Sequence, residues 1–211
     1  MRLFIFGLSA ATILSAQYNY YVPEMVDGNA VAHNERARAR SRFLNLRTTF
    51  VLINSGKTDA NVTIAASHDD ASPRHLNIPG LGSGASIAAK VPAGGTRLFS
   101  TDGSGDGTGG AAVVTSDSQI EVSEILSNTA SGDPLSESSV AALGDSDLMT
   151  EYLIPVDTAG LDTGAAMFNP GPGAATITLS LLDGTGKQNK VGEGGAQRET
   201  PDGYVRRRFI T

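Results

Sequence analysis

Thr48-Thr49-Phe50-Val51-Leu52-Ile53-Asn54-Ser55-Gly56-Lys57-Thr58-Asp59-Ala60-Asn61-Val62-Thr63-Ile64 decides how this chain is read, because its pattern returns 115 residues later around Asn169. In the first stretch an apolar run ends at Asn54, Gly56 follows, Ala60 comes six residues on, and Val62-Thr63-Ile64 comes eight to ten on. In the second, Ala165-Ala166-Met167-Phe168 ends at Asn169, Gly171 follows, Ala175 sits six on, and Ile177-Thr178-Leu179 sits eight to ten on, without a gap. Each stretch is expected to be a strand, a glycine-containing turn opened by the Asn, and a second strand, so that a β-hairpin is built twice.

Outward from that pair, the chain punctuates itself every few residues. Tyr18 to Pro23 is aromatic and β-branched and is expected as an entry strand ending near Pro23, with Asp27-Gly28-Asn29 as a turn. Phe50 and Leu52 alternate with Val51 and Ile53, apolar on both faces, which predicts a central strand covered on two sides. Asn61 to Ile64 and Thr176 to Leu181 alternate polar with aliphatic and predict strands buried on one face. Ser86 to Val91, Thr96 to Phe99, Ala111 to Ser116 and Ile120 to Leu126 are further strands, separated by Pro and Gly turns. Ser127 to Asp147, rich in Ser, Asp, Gly and Ala, is expected as a connector with at most one helical turn at Ser139 to Leu143.

Composition agrees with many short strands: of 211 residues 40% are apolar, only 18% charged, and 25 are Gly. The formal net charge of −6 argues against a broad attraction to nucleic acid. Met1-Arg2, the apolar run Leu3 to Leu14 and the small residues Ser15-Ala16 have the form of a secretion signal over 1–16, too short to span a bilayer. The absence of Cys removes disulfides, thiol catalysis and Cys-ligated metals. These divisions give residues 17–127 as a first β-sandwich repeat, 128–148 as the connector, and 149–211 as a second, shortened repeat with an irregular tail. The second repeat lacks the strands that follow the hairpin in the first. The copies therefore share one sandwich, or the tail is truncated or frame-altered, or a partner strand completes it. The fold expectation is all-β: one or two antiparallel β-sandwiches related by an internal repeat.

At this point a likeness can be named. Tyr21-Val22-Pro23 with Asp27-Gly28, Thr48 to Asn54, Val91-Pro92-Ala93-Gly94-Gly95, and Tyr152-Leu153-Ile154-Pro155-Val156-Asp157 with Gly164 to Asn169-Pro170 together resemble an uncharacterised secreted bacterial β-repeat module, Ig-like in pattern, found in extracellular proteins. The resemblance implies an extracellular sandwich architecture and no catalytic site.

Candidate chemistry is sparse. Pro23 precedes Asn54 by 31 residues while Pro155 precedes Asn169 by 14, so the first copy carries a 17-residue insertion. Within it Arg36, Arg38, Arg40 and Arg42 alternate with small residues, and an extended backbone would put four guanidinium groups on one face for a polyanion or acidic glycan. The plainer reading is a solvated loop balancing an acidic protein. Asp102, Ser104 and Asp106 place oxygens at alternate positions of a glycine-rich loop, as calcium loops do, but the twelfth position is Val113 and not a carboxylate. Glycine supply for a hairpin tip explains the same residues. His33, His68 and His75 lack metal-site spacing, and no hydrolase elbow, P-loop or zinc-protease motif occurs. The function expected is a non-catalytic extracellular structural or adhesion protein that contacts a cell-surface or matrix component, protein or glycan, and self-associates through sheet edges. The alternative is a carbohydrate-binding module that uses the Arg-rich insertion.

Overall fold

The computed structural model describes residues 17–31, 43–155, 164–188 and 207–208. The signal-like segment 1–16 and Arg36, Arg38, Arg40 and Arg42 lie outside the described residues.

The strands are β1 (Tyr18–Val31), β2 (Phe43–Ile53), β3 (Ala60–His68), β4 (Leu76–Ile78), β5 (Gly82–Gly84), β6 (Ser86–Val91), β7 (Thr96–Ser100), β8 (Asp106–Ser116), β9 (Glu121–Ala130), β10 (Asp133–Ala141), β11 (Leu143–Gly144), β12 (Gly164–Ala165) and β13 (Arg207–Arg208). Nine of them form one antiparallel sheet in the order β10-β9-β2-β1-β8-β3-β6, with β11 on β1 and β7 on β2. The sheet curls into a half-barrel. Its hinge line is β1, which pairs with β8 from Tyr18 to Gly28 and then with β2 from Gly28 to Val31. Two register shifts bend it, at Val22/Met25 and Val26/Gly28. Pro23, which has no N–H to give the ladder, falls within the first. At the second, Gly28 has φ 111° and lies so close to Gly105 that a Cβ would sit 1.9 Å from its carbonyl oxygen. The strand therefore does not stop at Pro23, and Asp27-Gly28-Asn29 is a bulge and not a turn.

The core fills the inside of the curl. Phe50 and Leu52 of β2 and Val122 of β9 face Val62 and Ile64 of β3, Ile87 and Val91 of β6, Val114 of β8, and Val22 and Met25 of β1, all buried. Leu76 and Ile78 of β4 close one side. Each large aliphatic or aromatic side chain here contributes about 1.5–3 kcal/mol by leaving water. β3 alternates inside and outside as expected, and β6, expected only as a strand, does the same. β2 is central, but only one face is covered: Val51 is half-buried and Ile53 is exposed.

The hairpin expected at Asn54 does not form. β2 pairs with β9, β1 and β7, and β3 pairs with β6 and β8, so Asn54 to Asp59 carries the chain across the core from one wall of the half-barrel to the other. The Asn is what makes that crossing rigid. Its Nδ2 donates to Thr58 O (2.8 Å) and Val91 O (3.1 Å), its Oδ1 accepts from Gly56 N (2.9 Å), and its own N–H donates to Gly95 O (2.9 Å).

The segment expected as a connector is largely strand. β9 and β10 form a hairpin whose two-residue turn, Ser131-Gly132, has φ 53° and 90°, the left-handed pair that favours tight reversal. The helical turn lies at Asp145–Asp147, past the expected Ser139 to Leu143, which β10 mostly occupies. β10 is almost wholly exposed and polar on both faces, so no alternation marked it.

Residues 151–155 and 174–181 are not in strands. The Asn169 loop nevertheless repeats the bonds of the Asn54 loop, with Asn169 Nδ2 donating to Gly173 O (2.6 Å) and Gly171 N donating to Asn169 Oδ1 (3.0 Å). Phe168 rests against Tyr21 of β1, ring centroids 5.6 Å apart. The only pairing described in this half besides the Leu182–Gln188 bridge is β12 with β13, Gly164 opposite Arg208.

Candidate functional site

The densest polar constellation gathers where the loop Thr101 to Thr108 crosses the bulge of β1. Asp27, brought inward by the register shift, is buried, and its Oδ1 and Oδ2 accept from the backbone N–H groups of Gly103 (3.0 Å) and Gly105 (3.1 Å). Arg74, just before β4, is 2% exposed. Its Nη1 donates to Thr108 O (2.9 Å), and its Nη2 donates to Asp27 O (3.0 Å) and Asp106 Oδ1 (3.2 Å). A buried guanidinium is tolerated because its donors meet two carbonyls and a carboxylate. Thr101 is locked to Thr48 through both its backbone and its hydroxyl, and the Thr48 hydroxyl bonds Val26 in turn.

Asp102, Ser104 and Asp106, the residues expected for calcium, take hydrogen-bond partners in and around their own loop. Asp102 accepts from Ser104 N (2.9 Å) and from the amide of Asn77, and its carboxyl is held below the usual range first by the Ser104 hydroxyl. Asp106 is turned toward Arg74 and accepts from Thr108 N (3.0 Å) and its hydroxyl (2.7 Å), with His68 Nδ1 3.9 Å away. Its carboxyl is lowered first by the Thr108 hydroxyl, with Arg74 and His68 adding to the effect. Among the described residues no three His, Asp or Glu side chains are grouped to hold a metal ion. Each carboxylate closes its own turn, and the glycine-rich stretch is a crossing and not the hairpin tip expected, since β7 pairs with β2 while β8 pairs with β1 and β3.

Beside this network lies a cleft of about 400 Å³ lined by Asp27, His75, Leu76, Asn77, Ser83, Ser104, Gly105 and Asp106. The carboxylates of Asp27 and Asp106 already accept hydrogen bonds, so what the cleft offers a ligand is hydrogen bonding from His75, Asn77, Ser83 and Ser104.

A second polar feature is isolated. Glu124 of β9 is buried, lies opposite Phe50 and Val140, and has an Oε2 without a hydrogen-bond partner among the described residues. Burial, and secondarily the charge of Glu24 in the β1 bulge, push its carboxyl up to about 8.

The third feature is the set of open edges and bare apolar side chains. Among the described residues β6 and β10 end the sheet, and Leu98 of β7 is exposed. Leu153 is 85% exposed, with Tyr152 and Ile154 beside it also exposed. Along 176–181, Ile177, Leu179 and Leu181 are half-buried while Thr176, Thr178 and Ser180 are exposed, an alternation suited to a sheet that these residues do not join. Arg74, Asp27 and Glu124 were not singled out by sequence. Arg74 has no flanking motif and Asp27 reads as part of a turn, while Glu124, in register with Ile120, Val122 and Leu126, carries the weak signal of a charge on an inward position.

No helix among the described residues is long and apolar enough to cross a membrane. No protein-family model matches the chain, and no curated protein matches it. Among solved structures it is similar to the protein in the crystal structure of Thermotoga maritima 1070, at a TM-score of 0.39 and 7% identity, over 59% of this chain and 91% of that one; a likeness this slight carries no argument about fold or function.

Proposed function

We propose that the chain is a non-catalytic structural or adhesion module, exported by its apolar N-terminal segment, that contacts a surface, matrix or sister protein by adding strands at open sheet edges. One observation carries this reading: the alternating segment 176–181 and the exposed Tyr152-Leu153-Ile154 are strand-type sequence without strand partners, attached to a half-barrel with free edges. Apolar groups of that size left in water favour association, and strand addition satisfies backbone and side chains together. On this reading residues 149–211 are a shortened copy of the unit that begins at residue 17, and the matching bonds of Asn54 and Asn169 support that relation. The test is binding of purified Gln17 to Thr211 to cell-surface and matrix preparations. Ile177→Asp with Leu179→Asp is expected to abolish it; retained binding sinks the reading.

Carbohydrate binding is the second reading, favoured by the cleft of hydrogen-bonding side chains beside Asp27 and by the arginines of the insertion. A polysaccharide array run with calcium and with chelator distinguishes it. Saturable binding lost on Arg38→Ala with Arg40→Ala assigns the insertion, loss on Asn77→Ala assigns the cleft, and sensitivity to chelator gives Asp102 and Asp106 a role.

A further inference from the structure

We propose that the strand-adding partner is a second copy of this chain, with residues 175–181 of one molecule joining the outer edge of β6 in the next. The inference rests on the strand-addition reading above and names its donor and acceptor. The segment Ala175 to Leu181 is the counterpart of Ala60 to Ala66 in β3, entered through a loop with the same two Asn hydrogen bonds. In its own fold β3 lies between two strands, β8 and β6, with Val62 and Ile64 facing the core. Its counterpart has the same alternation and, among the described residues, neither neighbour. β6 already accepts that pattern on its inner edge, pairing Asn61 with Lys90 and Ile64 with Ile87, and among the described residues it ends the sheet on its other side.

The free edges are not equivalent acceptors. β10 carries Pro134, Asp133 and Glu137, the proline and charge that guard an edge against pairing. β7 is one residue shorter than β6 and shares its length with Arg97. β6 spans six residues, as does 176–181, contains no proline, and has a single charge, Lys90, already paired with Asp59 at 3.0 Å. The donor segment is uncharged. Joining the two brings no unpaired charge into contact and sets Ile177 and Leu179 on the side where Ile87, Ala89 and Val91 are buried.

Donor and acceptor are different surfaces, so the contact is heterologous and repeats from molecule to molecule, into a ring where its rotation closes and an open chain where it does not. The chain has no cysteine, which makes a disulfide trap clean. Thr178→Cys and Ala88→Cys, both at exposed positions, are mixed as separate full-length proteins under mild oxidation. The expected product is a disulfide heterodimer that forms only from the mixture. It should fall about tenfold or more when Ile177→Asp is added to the donor, since a carboxylate would then have to be buried between strands. Replacing Ala88→Cys by Ser138→Cys on β10 should give none. Absence of the heterodimer, or equal yield with Ser138→Cys, overturns the proposal. If trapping fails while Ile177→Asp still abolishes surface binding, strand addition stands and the partner is another protein; if trapping fails and binding is unmoved, both readings fall.

Discussion

Glu124 makes the stability of this fold fall as pH rises through neutrality, and Glu124→Gln removes the effect. Its carboxyl titrates near 4.5 when unfolded and is pushed up to about 8 in the fold, first by burial beside Phe50 and then by the charge of Glu24. The folded protein therefore holds a proton that the unfolded chain releases between those values. The stabilisation is complete below about pH 4.5 and is lost as pH rises through about 8. Over that span the loss amounts to roughly 4–5 kcal/mol, at about 1.4 kcal/mol per pH unit. Set against a total of about 5–15 kcal/mol for an ordinary domain, that decides whether the protein stays folded at pH 9. Asp59, Asp70, Asp102, Asp106 and Asp117 all have carboxyls held below their usual range, so their contributions are constant above pH 5 and leave this slope to Glu124. Urea unfolding at pH 5 to 9, followed by circular dichroism because the chain has no Trp, measures it. Wild type is expected to lose stability steadily across that range, with Glu124→Gln nearly flat and clearly more stable at pH 9. Parallel curves for the two proteins would refute the argument.

Other expected outcomes follow from single contacts. Arg74→Met strands Thr108 O, Asp27 O and Asp106 and costs about 3–5 kcal/mol in urea unfolding, and Arg74→Lys recovers little because one ammonium cannot reproduce the fork. Gly28→Ala, whose Cβ would meet Gly105 O at 1.9 Å on a backbone with φ 111°, lowers stability by more than about 2 kcal/mol, read as a drop in thermal midpoint. Asn54→Ala costs about 2–3 kcal/mol through the buried Val91 carbonyl and the loop bonds it loses, whereas Asn169→Ala, whose bonds are exposed to water, changes the same measurement little. As pH falls below the usual carboxylate range, Asp102 and Asp106 protonate and release the Thr101 to Thr108 loop, which hydrogen exchange at the Ser104 and Thr108 amides should report as early opening.

What the sequence made legible is what is periodic. β3 and β6 alternate in sequence and alternate in burial, and the Asn54 and Asn169 loops were found from spacing alone. The pairing of strands was not legible, because an Asn-Gly-containing loop looks the same whether its strands return side by side or cross a core. β10 escaped notice because a strand solvated on both faces, Asp133 to Ala141, has no hydrophobic period to show. β1 was cut short at Pro23 because a proline inside a bulge and a proline ending a strand are written identically. Arg74 and Glu124 could not be placed, since their roles depend on carbonyls and side chains brought in from distant strands.

The long first strand sets the order in which this protein can be assembled. Tyr18 takes its partner at Ser116 and Tyr20 at Gly144, so the hinge strand stays unpaired on those edges until most of the sheet's sequence exists. Such distant closure is slow, since loop entropy must be met before any ladder bond forms there. As the chain is made from its N-terminus, the first strand has nothing to fold against on that edge until β8 has been made. The architecture that hides the core also delays it, and synthesis of the strands and collapse into a half-barrel become largely consecutive events.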